Sequence, residues 1–335
     1  MKCKRTVLPL LGTAFEPGRL ADTLNEFEDE ELAEIAQAEA YFFSAQAEAC
    51  VKIVEKYLNS EDVILRMSAD MLYTFANLTL GDAMAAQMAR EDVHICLKKA
   101  LEDEIDLETQ ASCLFALYVI SVLIHIPPEK EMPLLSDYLR YLPEGQRLFA
   151  MNLLAHGAYL NQEYAKGQGM AQTAMMMAEK MYPIPFIYLN CVNAMCQINQ
   201  KDQEGARESV IRAWEIARHD KLLEPFIEHH GLLQGVLEVW VKQREPYVYK
   251  KMMDGVIAFS RGWMKIHNPE MQKAVTDLLT PVEFSIAMLA CRDWTNQEIA
   301  EHMGLSVNTV KHYVSTILEK LQIDKRDKIK EFVNQ

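Results

Sequence analysis

One pattern returns along most of this chain: a large apolar or aromatic residue, a small or polar turn residue, then an alanine beyond the turn. It runs from Tyr41 to Ala49 around Ser44, from Phe75 to Ala86 around Gly81, from Tyr159 to Ala165 around Asn161, and from Ile198 to Ala206 around Gln200. The centres are 37, 80 and 39 residues apart, the middle interval being about two units. A period of this size is that of a helical hairpin, too small to bury its own apolar face and therefore obliged to stack on its neighbours. Between the turns the apolar residues keep helical spacing, as in Ala36, Ala40, Phe43, Ala47, Val51, Val54 and Leu58, or Leu65, Ala69, Leu72 and Phe75. No alternating run of useful length reads as a strand, so the expected fold is all-α, a solenoid of helical hairpins. Turns are expected at Asn59-Ser60, Gly81-Asp82, Pro127-Pro128, Pro143 to Gly145, Pro183 to Pro185 and Glu245-Pro246. The segment up to Gly18 shows little periodicity and reads as a lead-in.

With 335 residues, half of them hydrophobic, the chain has room for a large helical domain and a small second one. Its seven cysteines (Cys3, Cys50, Cys96, Cys113, Cys191, Cys196 and Cys291) are odd in number, lack a CxxC pair and mostly lie among apolar helical residues. That usage fits free thiols in a reducing compartment. Val7 to Leu11 is too short for a signal peptide, and Leu114 to Ile126 is too short to span a membrane. A cytoplasmic protein without a membrane partner is expected.

The stretch from Leu279 to Ile323 reads as three short helices with two sharp turns. Thr280-Pro281-Val282-Glu283 and Thr295-Asn296-Gln297-Glu298 each place a capping hydroxyl before a helix and a glutamate three residues on. Each side chain then satisfies a backbone N–H at the other's position. Gly304 stands where a helix end requires left-handed backbone, and Ser306 caps the third helix. Val310, Val314, Ile317, Leu318 and Leu321 mark that helix's buried side, and Asn308, Lys311, His312 and Ser315 its polar side. Helix, glycine turn and a longer helix with a small polar face make a helix-turn-helix, whose second helix enters a DNA major groove.

Leu279-Thr280-Pro281-x-Glu283, Thr295-Asn296-x-Glu298-Ile299-Ala300 and Leu305-Ser306-x-x-Thr309-Val310-Lys311, followed by Ile317 and Lys320-Leu321, resemble the DNA-binding domain of LuxR-type transcription regulators. The resemblance implies base-edge contacts from Lys311, His312 and Ser315. It implies phosphate contacts from Ser306, Asn308, Thr309 and the helix start at Asn296. It also implies a homodimer on double-stranded promoter DNA, paired through a last helix that carries Ile329, Phe332 and Val333. The chain departs from the family pattern at Val282, where arginine is frequent, at Tyr313, where histidine is common, and at Gln322, where glycine is usual. The hairpin units resemble degenerate tetratricopeptide repeats. Glu204-Gly205-Ala206, Ala213 to Ala217 and Leu222 to Phe226 resemble the sensor segment of maltose-activator-like regulators. Domains are accordingly expected at residues 1–268 and 275–335, with the junction near Gly262 to Asp277, where Trp263, Asn268 and Pro269 interrupt the periodicity.

Charge divides the same way. From Leu279 onward seven basic residues face eight acidic ones, so nearly all of the net charge of −14 belongs to the preceding part. An acidic body repels nucleic acid and favours neutral or cationic partners, and a near-neutral DNA-binding module leans on dimerisation.

Other chemistries leave no trace. Gly12 and Gly18 are not followed by Lys-Ser or Lys-Thr, so no phosphate loop is present, and a receiver or acyl-homoserine-lactone domain would need strands. Glu228-His229-His230 has adjacent side chains on different helix faces and no spaced third ligand. No metal, cofactor or catalytic residue is assigned, and an enzyme is not expected. The 19 methionines read as fillers of imperfect hairpins, and Tyr188, Trp214, Phe226 and Trp240 as core rather than as a concave groove. The expected function is sequence-specific transcription regulation, with the helical part receiving a small-molecule or peptide inducer or a protein signal, and RNA polymerase as a partner at the promoter. The competing reading is an interaction scaffold whose helix-turn-helix has little DNA affinity.

Overall fold

The computed structural model describes residues 5–102, 105–125, 132–233, 235–267 and 279–330, and these form seventeen α-helices and no strand. Four hairpins follow the repeat. α2 (Glu30–Phe43) pairs with α3 (Ala47–Val54) and α4 (Val63–Leu80) with α5 (Ala83–Glu102). α8 (Glu144–Leu160) pairs with α9 (Tyr164–Met177) and α10 (Pro183–Asn199) with α11 (Gln203–Ala217). The repeat centres Ser44, Gly81, Asn161 and Gln200 are the C-caps of the first helix in each pair.

One device builds all four turns. Ala45, Gln162 and Lys201 follow their caps at φ 56°, 62° and 62°, and Gly81 itself stands at φ 80°. An amide then reaches back five residues: Gln46 to the Tyr41 carbonyl at 2.9 Å, Asp82 to Asn77 at 2.9 Å, Glu163 to Ala158 at 2.8 Å and Asp202 to Gln197 at 2.9 Å. This left-handed cap satisfies carbonyls that a helix end leaves open. The double interval in the sequence is filled by α6 (Leu107–Leu123), which ends at Ile124 with His125 at φ 59°. Its following helix α7 is short, Leu135–Tyr138. Histidine in the left-handed position, with no small residue beside it, hid this unit from the pattern.

Pro183 to Pro185 is not a turn: these residues open α10, where the missing N–H costs nothing and the fixed φ suits the helix. Pro246 likewise opens α14. Pro127-Pro128 lies outside the described residues.

Later helices of the chain pack back onto this array. α12 (Glu224–Leu233) packs on α10 and α2, and α14 (Pro246–His267) packs on α12, α4 and α5, with α13 (Val236–Arg244) between them in sequence. The opening segment, ahead of α1 (Leu20–Leu24), is core rather than lead-in, with Val7 and Leu10 fully buried. Lacking a helix, its backbone amides need side-chain acceptors. Leu8 N donates to Ser68 Oγ at 3.1 Å, and Leu10 and Leu11 donate to the buried Glu39 carboxylate at 2.8 and 2.9 Å. Tyr188, Trp214 and Phe226 are buried core residues. The methionines divide: Met67, Met71, Met195 and Met252 fill the core, whereas Met84, Met88, Met176 and Met177 stand exposed.

The six described cysteines are free, five of them buried, and burial pushes the Cys113 and Cys196 thiols up to about 12. No described helix is long and apolar enough to cross a membrane. Gly262 to His267 belong to α14, while Asn268, Pro269 and Asp277 lie outside the described residues.

Candidate nucleic-acid interface

Three helices follow: α15 (Pro281–Cys291), α16 (Asn296–Met303) and α17 (Val307–Lys320). Both expected capping boxes form. Thr280 N donates to the Glu283 carboxylate at 2.7 Å and Glu283 N to Thr280 Oγ1 at 3.3 Å. In the second box Thr295 N donates to Glu298 at 2.7 Å and Glu298 N to Thr295 Oγ1 at 3.2 Å. Gly304 ends α16 at φ 63°, ψ 34°, with open space where a Cβ would stand, so only its backbone conformation calls for glycine.

Ser306 caps α17 by accepting the Thr309 amide at 3.1 Å, and the two hydroxyls lie 2.7 Å apart. Val310, Ile317 and Leu321 are buried beneath α17. Asn308, Lys311, His312 and Ser315 are exposed together, as the i, i+3, i+4, i+7 spacing requires of one helix face. Lys311 has no carboxylate within ion-pairing distance among the described residues.

Other expected residues are already engaged. Asn296 is half-buried, and its Oδ1 accepts from Arg326 at 2.7 Å. Arg326 also donates to the Trp294 carbonyl, so it locks the tail across the first turn of α16. Lys320 reaches back to the buried Glu283 at 2.6 Å, joining the end of α17 to the cap of α15. Burial opposes the charge on Glu283, but Lys320 and the Thr280 amide outweigh it and hold the carboxyl below its ordinary value. Ile329 is fully buried against α15, so it serves this domain's own core rather than a dimer edge, and Phe332 and Val333 lie outside the described residues.

The family's usual glycine after Lys-Leu has a physical reason here. Gln322 stands at φ 56°, with Ile323 N bonded back to the Leu318 carbonyl at 3.0 Å. Gln322→Gly is expected to stabilise the protein by about 0.5–1 kcal/mol, since a side chain in left-handed backbone costs about 1 kcal/mol. A lowered urea midpoint would show that Gln322 makes a contact worth more than its strain.

The helical body holds this unit through α15 and α16, while Asn308, Lys311, His312 and Ser315 of α17 stay exposed. Arg292 donates to Asn199 and to the Tyr159 hydroxyl, and Lys201 pairs with Glu298 at 2.7 Å. Gly235, at φ 90°, admits Met303 so closely that a Cβ would lie 2.0 Å from its sulfur. Sequence reasoning missed Arg292, Lys201 and Arg326 because their partners are distant in sequence.

The family model of luxR-family bacterial regulatory proteins matches residues 277–332. The chain is 38% identical over 64 residues to the response regulator protein VraR of Staphylococcus saprophyticus, covering 19% of this chain and 31% of that protein. It is 34% identical over 86 residues to VraR of Staphylococcus aureus, covering 23% of this chain and 41% of that one. The chain thus spans less than half the length of these relatives. No solved structure matches it. With its capped helices, left-handed Gly304 and matched residues, the unit α15–α17 is a LuxR-type helix-turn-helix domain.

Proposed function

We propose that the protein is a sequence-specific transcription regulator of the cytoplasm that binds promoter DNA through α17 and receives a signal through its helical body. One observation carries the reading: Asn308, Lys311, His312 and Ser315 form an exposed polar stripe on one face of a capped helix. Such a helix fits a major groove, where lysine and histidine meet base edges. Lys311, His312 and Ser315 are assigned to bases and Asn308 to the flanking phosphate. Ser306 and Thr309 are assigned to the same phosphate through hydroxyls that already cap the helix. At α16 a phosphate would meet the Asn296 side chain, and Lys201 offsets the Glu298 charge there.

The domain boundaries are placed at residues 1–268 and 275–335, and the body is taken as tetratricopeptide-like. A homodimer on DNA supplies two α17 helices, which compensates for the near-neutral charge of each module. RNA polymerase is assigned as the partner at the promoter.

A binding-site selection followed by titration tests this. Lys311→Ala is expected to weaken binding to the selected site by about 1–3 kcal/mol with unchanged melting. His312→Ala is expected to change the selected sequence, and Thr309→Ala to weaken all sequences alike. Failure of the wild type to enrich any sequence favours the scaffold reading.

A further inference from the structure

Where the body meets α15, the two parts line a cavity of about 870 Å³. Its aromatic walls include Tyr159 of α8, Trp263 of α14 and Phe284 of α15, and His156 and Glu228 also line it. His156 is 1% exposed, and neither ring nitrogen has a hydrogen-bond partner. His125 meets it edge-on and His229 at a tilt of 52°, each with its ring centroid 5.4 Å away. Glu228 accepts the Tyr188 hydroxyl at 2.6 Å through Oε2, while Oε1 has no partner. One turn earlier, Glu224 is buried with its Oε1 equally unmatched.

Buried carboxyls need donors or a countercharge, and a neutral imidazole nitrogen needs a donor. Among the described residues no cationic side chain pairs with Glu224 or Glu228. Of the basic residues lining the cavity, Lys201 pairs with Glu298 and Lys330 with Asp293, while Arg292 donates to Asn199 and Tyr159 and lies over the Tyr159 ring at 5.5 Å from its centroid. An ammonium group placed on the Glu228 and His156 side of the cavity would find the unmatched Glu228 Oε1 and a His156 nitrogen as acceptors, and the faces of Trp263 and Phe284 as aromatic walls. Burial keeps His156 well below its ordinary value, hence neutral, and pushes Glu228 up to about 8, which a bound cation would reverse. The acidic body adds a long-range attraction for cations.

We propose that this cavity is the receptor for a small organic ammonium ion with an aromatic or apolar body, bound between the helical body and α15, and that its occupancy sets DNA affinity. The receptor stands on the cavity alone. The coupling rests on the regulator reading above.

Calorimetric titration of the full chain with phenethylammonium chloride is expected to show one saturable site with a dissociation constant below about 1 mM. Phenylacetate and 2-phenylethanol, which keep the ring but lose the positive charge, should bind at least about tenfold more weakly. Glu228→Gln retains an oxygen for Tyr188 and removes the charge, so it should weaken phenethylammonium about tenfold. Trp263→Leu should do the same through the lost aromatic face, and it serves alone if Glu228→Gln does not fold. Absence of binding by phenethylammonium, equal binding of phenylacetate, or wild-type affinity in folded variants would overturn the receptor. Saturating phenethylammonium should change wild-type DNA affinity at least about threefold, and Trp263→Leu should need about tenfold more of it for the same change. An unchanged wild-type DNA affinity at saturation overturns the coupling. A chain that binds phenethylammonium but selects no DNA overturns the regulator reading and leaves the receptor standing.

Discussion

Gly262→Ala is expected to be among the most damaging single substitutions in the helical body, costing about 3–5 kcal/mol or preventing folding. A Cβ at this position of α14 would lie 1.9 Å from the Leu78 carbonyl oxygen and 2.6 Å from its carbon. Both are backbone atoms in the last turn of α4, and the Leu78 carbonyl also accepts the Gly81 amide at 3.1 Å in the hairpin turn. Neither helix can yield without opening the contact between α14 and α4. Gly157→Ala is the control: it is also helical, nothing lies within 4 Å of its Cβ, and it should stabilise by about 0.5–1 kcal/mol. Urea denaturation followed by circular dichroism reads both. A loss below about 1 kcal/mol for Gly262→Ala would mean that α14 does not approach α4 this closely.

Stability is expected to fall as the pH rises through neutrality. Burial pushes Glu39 and Glu228 up to about 8 and Asp70 to about 9, from ordinary values of 4.5 and 3.8; the Leu10 and Leu11 amides oppose the shift of Glu39 without cancelling it. Each group keeps in the folded state a proton that the unfolded chain has released. The folded state therefore binds more protons, and the stability these groups contribute is full below about 4 and lost as pH climbs to 8 or 9. His229, lowered from 6.5 to about 4, and His156, also held well below its ordinary value by burial, act in the opposite sense below about pH 6.5. The two effects compete up to about pH 6.5, and the loss is uncompensated above it. One such group accounts for at most about 1.4 kcal/mol per pH unit. Melting temperatures between pH 5.5 and 8.5 should decline, most steeply above 6.5, and Glu39→Gln should flatten the decline. A melting temperature constant or rising over that range would show that these carboxyls are ionised in the folded protein.

Local rules made the recognition domain legible in advance. Two capping boxes, Gly304 and the stripe on α17 depend on residues within four positions of one another, and such contacts are specified wherever the sequence occurs. The hairpin period was legible for the same reason, since each turn at Ser44, Gly81, Asn161 and Gln200 closes on residues five apart. The unit ending at His125 escaped because a left-handed histidine carries no turn signature. What the tertiary structure alone decided was how the units meet. The opening segment is held by Glu39 and Ser68, α14 meets α4 at Gly262, and Arg292 docks on Tyr159 and Asn199. His156 and Glu228 come to line one cavity from helices about seventy residues apart. A residue's type and near neighbours set its propensity for helix, cap or turn. Whether it ends up buried, paired or facing a cavity depends on which distant helix arrives beside it, and no short-range pattern encodes that.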